Sequence, residues 1–145
     1  MFTLDPRLER DTCPLGDLPL SRLLVMNDAH YPWLILVPRR AEVSEVFDLS
    51  AEDQRQLWEE TVHVAETLKA VCEAAKMNVA SLGNVVGQLH MHVVARHPGD
   101  AAWPGPVWGC LPAQPYEAEA LRAWRERLRL ALAPYLIEGE SHGGR

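Results

Sequence analysis

Cysteine is scarce in this chain. Only Cys13, Cys72 and Cys110 occur, odd in number, widely spaced and without a Cys-x-x-Cys pair, so neither a disulfide framework nor a cysteine zinc site is indicated. No stretch approaches the roughly 18 uninterrupted apolar residues of a membrane-spanning helix. The opening Met-Phe-Thr-Leu-Asp-Pro-Arg lacks the basic start and apolar run of a secretory signal, and a soluble, cytoplasmic protein is expected. Positive charge is in deficit, with 14 Lys and Arg against 20 Asp and Glu, a formal net charge of −6. Binding to nucleic acid or an anionic membrane depends on neutralising phosphates with cations, so neither partner is expected. A small phosphorylated ligand needs only a local cluster of donors and stays open. Internal repeats, an interdomain linker and a Gly-x-x-x-x-Gly-Lys phosphate loop are also missing.

What is present is enough apolar side chain for one core. At 145 residues and 48% hydrophobic content, the sequence reads as a single domain over 1–145, with its core at about 18–133. The informative stretch is Gln88 to Arg96, Gln-Leu-His-Met-His-Val-Val-Ala-Arg. Gln88, His90, His92 and Arg96 fall at even positions and Leu89, Met91, Val93 and Ala95 at odd ones, the alternation of a half-buried strand. The odd set then faces a core while Gln88, His90 and His92 stand in a row about 6.5–7 Å apart, close enough to share one phosphate. A lone strand histidine is usually a satisfied structural residue. Two in register beside an amide need hydrogen-bond partners or a ligand, and imidazole is a nucleophile, a base and a metal ligand.

The remaining chain supplies a frame for that strand. Asp5 and Pro6 look like an N-cap and first helical position for a short helix over 6–11, followed by a turn at Cys13-Pro14-Leu15-Gly16-Asp17. Leu18 to Met26 and Trp33 to Val37 read as an antiparallel strand pair joined by a short polar loop. Ser50 with Asp53 signals the start of a helix running to about Lys76, with Leu57, Thr61, Val64, Leu68, Val71 and Ala75 as its apolar stripe. His63 lies one position off that stripe and takes a structural or solvated reading. Met77 to Leu82 and Val85 to Ala95 read as strands around a Gly83-Asn84 turn. The five prolines between His97 and Pro115 make that segment a long loop, in which Trp103 and Trp108 fill the edge of the core. Residues 116–133 form a second helix with Leu121, Trp124, Leu128 and Leu132 on one side, ended by Pro134, and the tail 138–145 reads as disordered. Strands, a long helix, strands and a helix make an α+β domain with a mostly antiparallel sheet.

From about Leu18 to Trp108 the chain resembles the histidine triad (HIT) family of nucleotide-binding hydrolases and transferases. The family motif is His-φ-His-φ-His-φ-φ, with φ apolar, against Gln88-Leu89-His90-Met91-His92-Val93-Val94 here. Gly83-Asn84 resembles the Gly-Gln before the triad, Trp103-Pro104 the Trp-Pro after it, Asn27-Asp28 the pair that meets the ribose, and Leu34-Ile35-Leu36-Val37-Pro38 the next strand. The resemblance implies a homodimer in which each subunit holds a small-molecule nucleotide without cofactor or metal. His90 would be the nucleophile that forms a nucleotidyl-imidazole, with Gln88 and His92 stabilising phosphoryl charge and Asn27, Asp28 and Asn84 on the nucleotide. Three positions depart from the pattern. Gln88 replaces the first His and cannot carry a proton at neutral pH, Val85 stands where members often have Ser or Thr, and Trp33 stands where many have a further His. Two other readings stay open at this point: a nucleotide-binding module whose catalysis has decayed, and a metal site built from His90 and His92 with His97 or Asp100.

Overall fold

The computed structural model describes residues 1–137, so the expected disorder of 138–145 lies outside the described residues. The elements run α1 (Pro6–Asp11), β1 (Thr12–Asp17), β2 (Ser21–Met26), β3 (Trp33–Pro38), a 3-10 turn (Val46–Asp48), α2 (Ala51–Cys72), β4 (Lys76–Ala80), β5 (Met91–Arg96) and α3 (Ala118–Leu132). The five strands form one antiparallel sheet in the order β1-β2-β3-β5-β4. The expected α+β architecture is the observed one.

Two elements begin where their caps were read. Asp5 accepts from the Arg7 backbone N–H at 2.8 Å with Pro6 at the first helical position, and Ser50 accepts from Asp53 N–H at 3.1 Å to start α2. Helix α2 buries Leu57, Thr61, Val64 and Leu68 against the sheet, as its stripe requires. It also buries Glu60, whose carboxylate accepts from Leu20 N–H at 2.7 Å and Ser21 N–H at 3.0 Å and so pins the start of β2 to the helix. The helix ends four residues earlier than expected, because Glu73 turns the chain with φ of 50° and Ala74, not Ala75, enters the core. His63 stacks on Tyr135 at 4.3 Å, a structural role as expected.

Three expectations need correction. Residues 12–17 are an edge strand and not only a turn; a bulge between Pro14 and Gly16 accommodates both residues, since an edge strand leaves one side free of ladder bonds. Gly83-Asn84 is not a tight hairpin turn. Although β4 and β5 are antiparallel neighbours, their connection spans all of 81–90. The third correction concerns β5, which begins at Met91 and is buried on both faces.

That burial follows from its place in the sheet. On one face Met91, Val93 and Ala95 join Leu23, Val25, Leu34 and Leu36 beneath α2 and α3. On the other face Val94 joins Leu24, Trp33, Ile35 and Val37, covered by Leu8 and Val107 with Phe2, Leu4 and Trp108 at the edge. The histidine row therefore lies under the N-terminal segment and the proline-rich loop, not in open solvent.

Candidate active site

Register places the site. His92 pairs with Ile35 on β3 and Ala80 on β4, and Trp33 pairs with Val94, which puts the indole diagonally beside the His92 ring on the same face. His90 immediately precedes the strand. The two imidazole centroids are 4.7 Å apart and both residues are 6% exposed, so the pair is nearly closed over. Trp108 covers it edge-on, its ring 5.4 Å from that of His92 and 6.1 Å from that of Trp33.

Each histidine has one nitrogen committed, and the partners dictate where the protons sit. A carbonyl oxygen can only accept, so the 2.7 Å contact between His90 Nδ1 and the Gln88 carbonyl requires a proton on Nδ1 and leaves the lone pair of the neutral ring on Nε2. An indole N–H can only donate, so Trp33 Nε1 at 3.1 Å from His92 Nδ1 finds a lone pair there, and neutral His92 carries its proton on Nε2. The pair is thus asymmetric, one ring presenting a lone pair and the other an N–H. Burial, and secondarily the neighbouring His90, pushes the His92 pKa down to about 3, so that ring stays neutral across the physiological range.

The proline-rich loop that covers the pair is held by a buried ion pair. Arg96 is 2% exposed and meets Asp100 in a two-pronged contact at 2.8 and 2.9 Å. The same guanidinium donates to Asn78 Oδ1 at 2.8 Å and lies over the rings of Tyr31 and Trp103. Asp100 in turn accepts from the backbone N–H groups of His97, Ala102 and Trp103. Arg96 holds the Asp100 carboxyl down at about 2. This cluster nucleates the loop at its start, from which the chain reaches Val107 and Trp108.

Not every expected residue joins the pair. Gln88 departs from the expected row: it precedes the strand, and its carboxamide accepts from Asp5 N–H at 2.8 Å and donates to the Thr3 carbonyl at 2.8 Å. The row ends early because β4 pairing stops at Ala80, opposite His92, and β3 pairing stops at Leu36, opposite Met91, so residues before 91 have no ladder partner on either side. Asn27 accepts from Tyr116 N–H at 2.9 Å, and buried Asp28 accepts from His30 N–H at 3.0 Å, lies 2.7 Å from the His30 ring, and receives Gln114 N–H at 3.3 Å. These contacts hold the β2–β3 connection to the strap 114–116, the Asx-type role. Asn84 is exposed within 81–90. His97 directs Nε2 to the Cys72 carbonyl at 3.0 Å and Asp100 is engaged by Arg96, so neither expected third ligand meets the histidines. Among the described residues no group of three His, Cys, Asp or Glu is arranged to hold a metal ion, and no helix is long and apolar enough to cross a membrane.

Sequence reasoning missed roles for Trp33, Trp108 and the N-terminal residues 3–5. Trp33 was legible as a departure from a pattern, but an indole N–H aimed at an imidazole has no sequence signature. Asp5 was legible only as a helix cap, and Thr3 and Leu4 carried no signal.

The fold and the paired histidines can now be set beside known proteins. Residues 7–99 match the family model described as the HIT domain. The chain belongs to the HIT family. Solved HIT proteins with the same fold include one from Sinorhizobium meliloti 1021 at 51% identity, covering 91% of this chain and 98% of that one with a TM-score of 0.89. A histidine triad protein from Marinobacter aquaeolei VT8 is 43% identical, covers 93% of this chain and 98% of its own, and has a TM-score of 0.91. One from Bradyrhizobium japonicum is 46% identical over 90% of this chain and 97% of its own, with a TM-score of 0.87. No curated protein matches. Gln88, His90 and His92 all lie within the matched residues.

Proposed function

We propose that this HIT chain cleaves at the α-phosphorus of a nucleoside phosphoramidate or dinucleoside polyphosphate through a nucleotidyl-histidine intermediate on His90. The observation that carries this reading is the Gln88 carbonyl on His90 Nδ1, which directs the lone pair of the neutral ring to Nε2. Nε2 attacks phosphorus, a P–N bond forms, and the bond to the amine or phosphate leaving group breaks. Water then cleaves the P–N bond, releasing the nucleoside monophosphate and regenerating His90. His92 supports both displacements as a neutral donor: its Nε2–H is preset by Trp33 to meet a phosphoryl oxygen, where negative charge grows. With its pKa at about 3, His92 is a poor source of a leaving-group proton, so that proton comes from the substrate or solvent.

The runner-up, a nucleotide-binding module without turnover, is favoured by one observation: Gln88 has no titratable proton and its carboxamide is engaged by the N-terminal segment. Intact mass after acid-free quenching with an adenylyl donor separates the two, since the enzyme gains one nucleotidyl group and the module none. His90→Ala is expected to abolish turnover while leaving nucleotide affinity within about tenfold, a ratio worth roughly 1.4 kcal/mol. Hydrolysis undiminished in that variant would sink the assignment of the nucleophile.

The ribose role for Asn27 and Asp28 is kept as a test, because both are engaged with backbone and His30. Asp28→Ala should weaken a ribonucleotide more than its deoxy counterpart if the carboxylate meets ribose, and both equally if it only holds the loop. A homodimer is proposed on the same footing. Strand β4 is a sheet edge with Val79 40% exposed, and α2 presents Trp58 and Val62, 50% and 49% exposed, one turn apart.

A further inference from the structure

We propose that Gln88 is a latch, whose carboxamide holds residues 3–5 in place as the outer wall of a subsite for the ring-bearing end of the substrate. This inference rests on the nucleotidyl reading above and changes the job of the first motif position, from touching phosphate to positioning a segment from the far end of the chain. The carboxamide pairs with the chain as a neighbouring strand would, accepting from Asp5 N–H and donating to the Thr3 carbonyl, both at 2.8 Å. Arg7 adds a second tie by donating to the Val85 carbonyl at 2.8 Å, so the N-terminal segment and the 81–90 connection are fastened at two points.

The segment so held borders a cavity of about 480 Å³ lined by Phe2, Thr3, Leu4, Pro14, Arg22 and Leu24, among others. Register shows which face this is. Pro14 pairs with Leu24, Leu24 with Ile35, and Ile35 with His92, so the four residues form one row across the sheet and all point to the histidine face. Leu24 stands two strands from His92, a distance of about 10 Å at the usual strand spacing. A nucleotidyl group attacked at phosphorus by His90 has its ring system at that distance. The lining suits a flat, uncharged ring: Phe2, Leu4, Pro14 and Leu24 supply apolar walls, and Arg22, whose guanidinium lies 5.4 Å from the Phe2 ring, supplies donors at the rim.

Gln88 is thereby a positioning residue with two arms. Its carbonyl orients the nucleophile His90, and its carboxamide sets the wall against which the ring packs. A phosphate ligand at this position would act on any phosphorylated probe, whereas a latch acts only on probes that reach the wall.

Calorimetric titration with AMP and with ribose 5-phosphate distinguishes these roles, read together with amide exchange of Asp5. In Gln88→Ala the Asp5 N–H should lose protection, AMP should bind about tenfold more weakly, and ribose 5-phosphate should stay within about twofold of wild type. Gln88→Glu keeps the acceptor for Asp5 and loses the donor to Thr3, so a smaller loss confined to AMP is expected. Phe2→Ala should reproduce the AMP-selective loss with the latch intact. Equal weakening of both probes in Gln88→Ala would overturn the proposal in favour of a phosphate contact. Unchanged AMP affinity despite a freed Asp5 amide would overturn the wall, and unchanged Asp5 protection would overturn the latch. Wild-type protein that binds neither probe would overturn the nucleotidyl reading and the subsite with it, an outcome recognisable because Asp5 protection would still respond to Gln88.

Discussion

Replacing Trp33 with Phe removes a single N–H from the site and tests whether His92 is the preset neutral donor described above. The indole Nε1–H lies 3.1 Å from His92 Nδ1 and stabilises only the ring form that keeps a lone pair there. A hydrogen bond of that kind contributes about 1 kcal/mol net, or roughly 0.7 of a pKa unit. The larger causes of the low His92 pKa, burial and then the adjacent His90, are left in place by the substitution. His92 should therefore rise from about 3 by roughly one unit, including a small contribution from water entering beside the smaller ring. Trp33→His should raise it further, since a second imidazole can share a proton with Nδ1. Nitrogen-15 spectra of the imidazoles across a pH titration read both the pKa and the tautomer. A wild-type His92 protonated on Nδ1, or one titrating near its ordinary 6.5, would refute the reasoning. The same shift carries a stability consequence. The unfolded chain takes up this proton from about pH 6.5 downward and the folded chain does not until about 3, so stability from His92 is full above pH 6.5 and is lost between those values. At pH 5 the loss is on the order of 2 kcal/mol, visible as a lower urea midpoint than at pH 7, and essentially the same in Trp33→Phe, whose folded-state pKa stays below pH 5.

Four further outcomes are expected. Asp100→Ala strands the Arg96 guanidinium at 2% exposure, should cost about 3–5 kcal/mol in urea denaturation, and should loosen the loop carrying Trp108, read as a change in tryptophan fluorescence. Asp100 also predicts acid sensitivity of its own: with its carboxyl held at about 2 against an ordinary 3.8, its contribution is full above pH 4 and disappears as pH falls towards 2. Glu60→Ala leaves the Leu20 and Ser21 N–H groups buried without acceptors and should cost roughly 2–4 kcal/mol, whereas a cost under about 0.5 kcal/mol would show that water takes over the carboxylate's role. Light scattering should give twice the chain mass, and a monomer at micromolar concentration would count against the homodimer.

Much of the frame was readable from local pattern. The stripes of α2 and α3, the Asp5-Pro6 and Ser50-Asp53 helix starts, and the alternation through Met91 to Arg96 each encode an element by spacing alone, because a helix or strand repeats its exposed and buried positions at a fixed period. Strand β1 was not readable, since Pro14 and Gly16 argue locally for a turn and only an edge position with a bulge makes them acceptable in a strand. The alternation likewise suggested a strand open on one face. That face is closed by the N-terminal residues and by the proline-rich loop, which no local period reports.

The sequence by itself determined that His90 and His92 lie side by side at the start of a strand in a domain resembling the HIT family. That much depends on two-residue periodicity and a motif, both properties of neighbouring residues. Only the tertiary structure decided what those histidines can do. The Gln88 carbonyl and the Trp33 indole assign opposite tautomers to the two rings, burial lowers the His92 pKa, and the Gln88 carboxamide reaches residues more than eighty positions away. Proton position and pKa are set by which donor, acceptor or wall lies within a few ångströms, and those neighbours come from parts of the chain that sequence proximity does not connect.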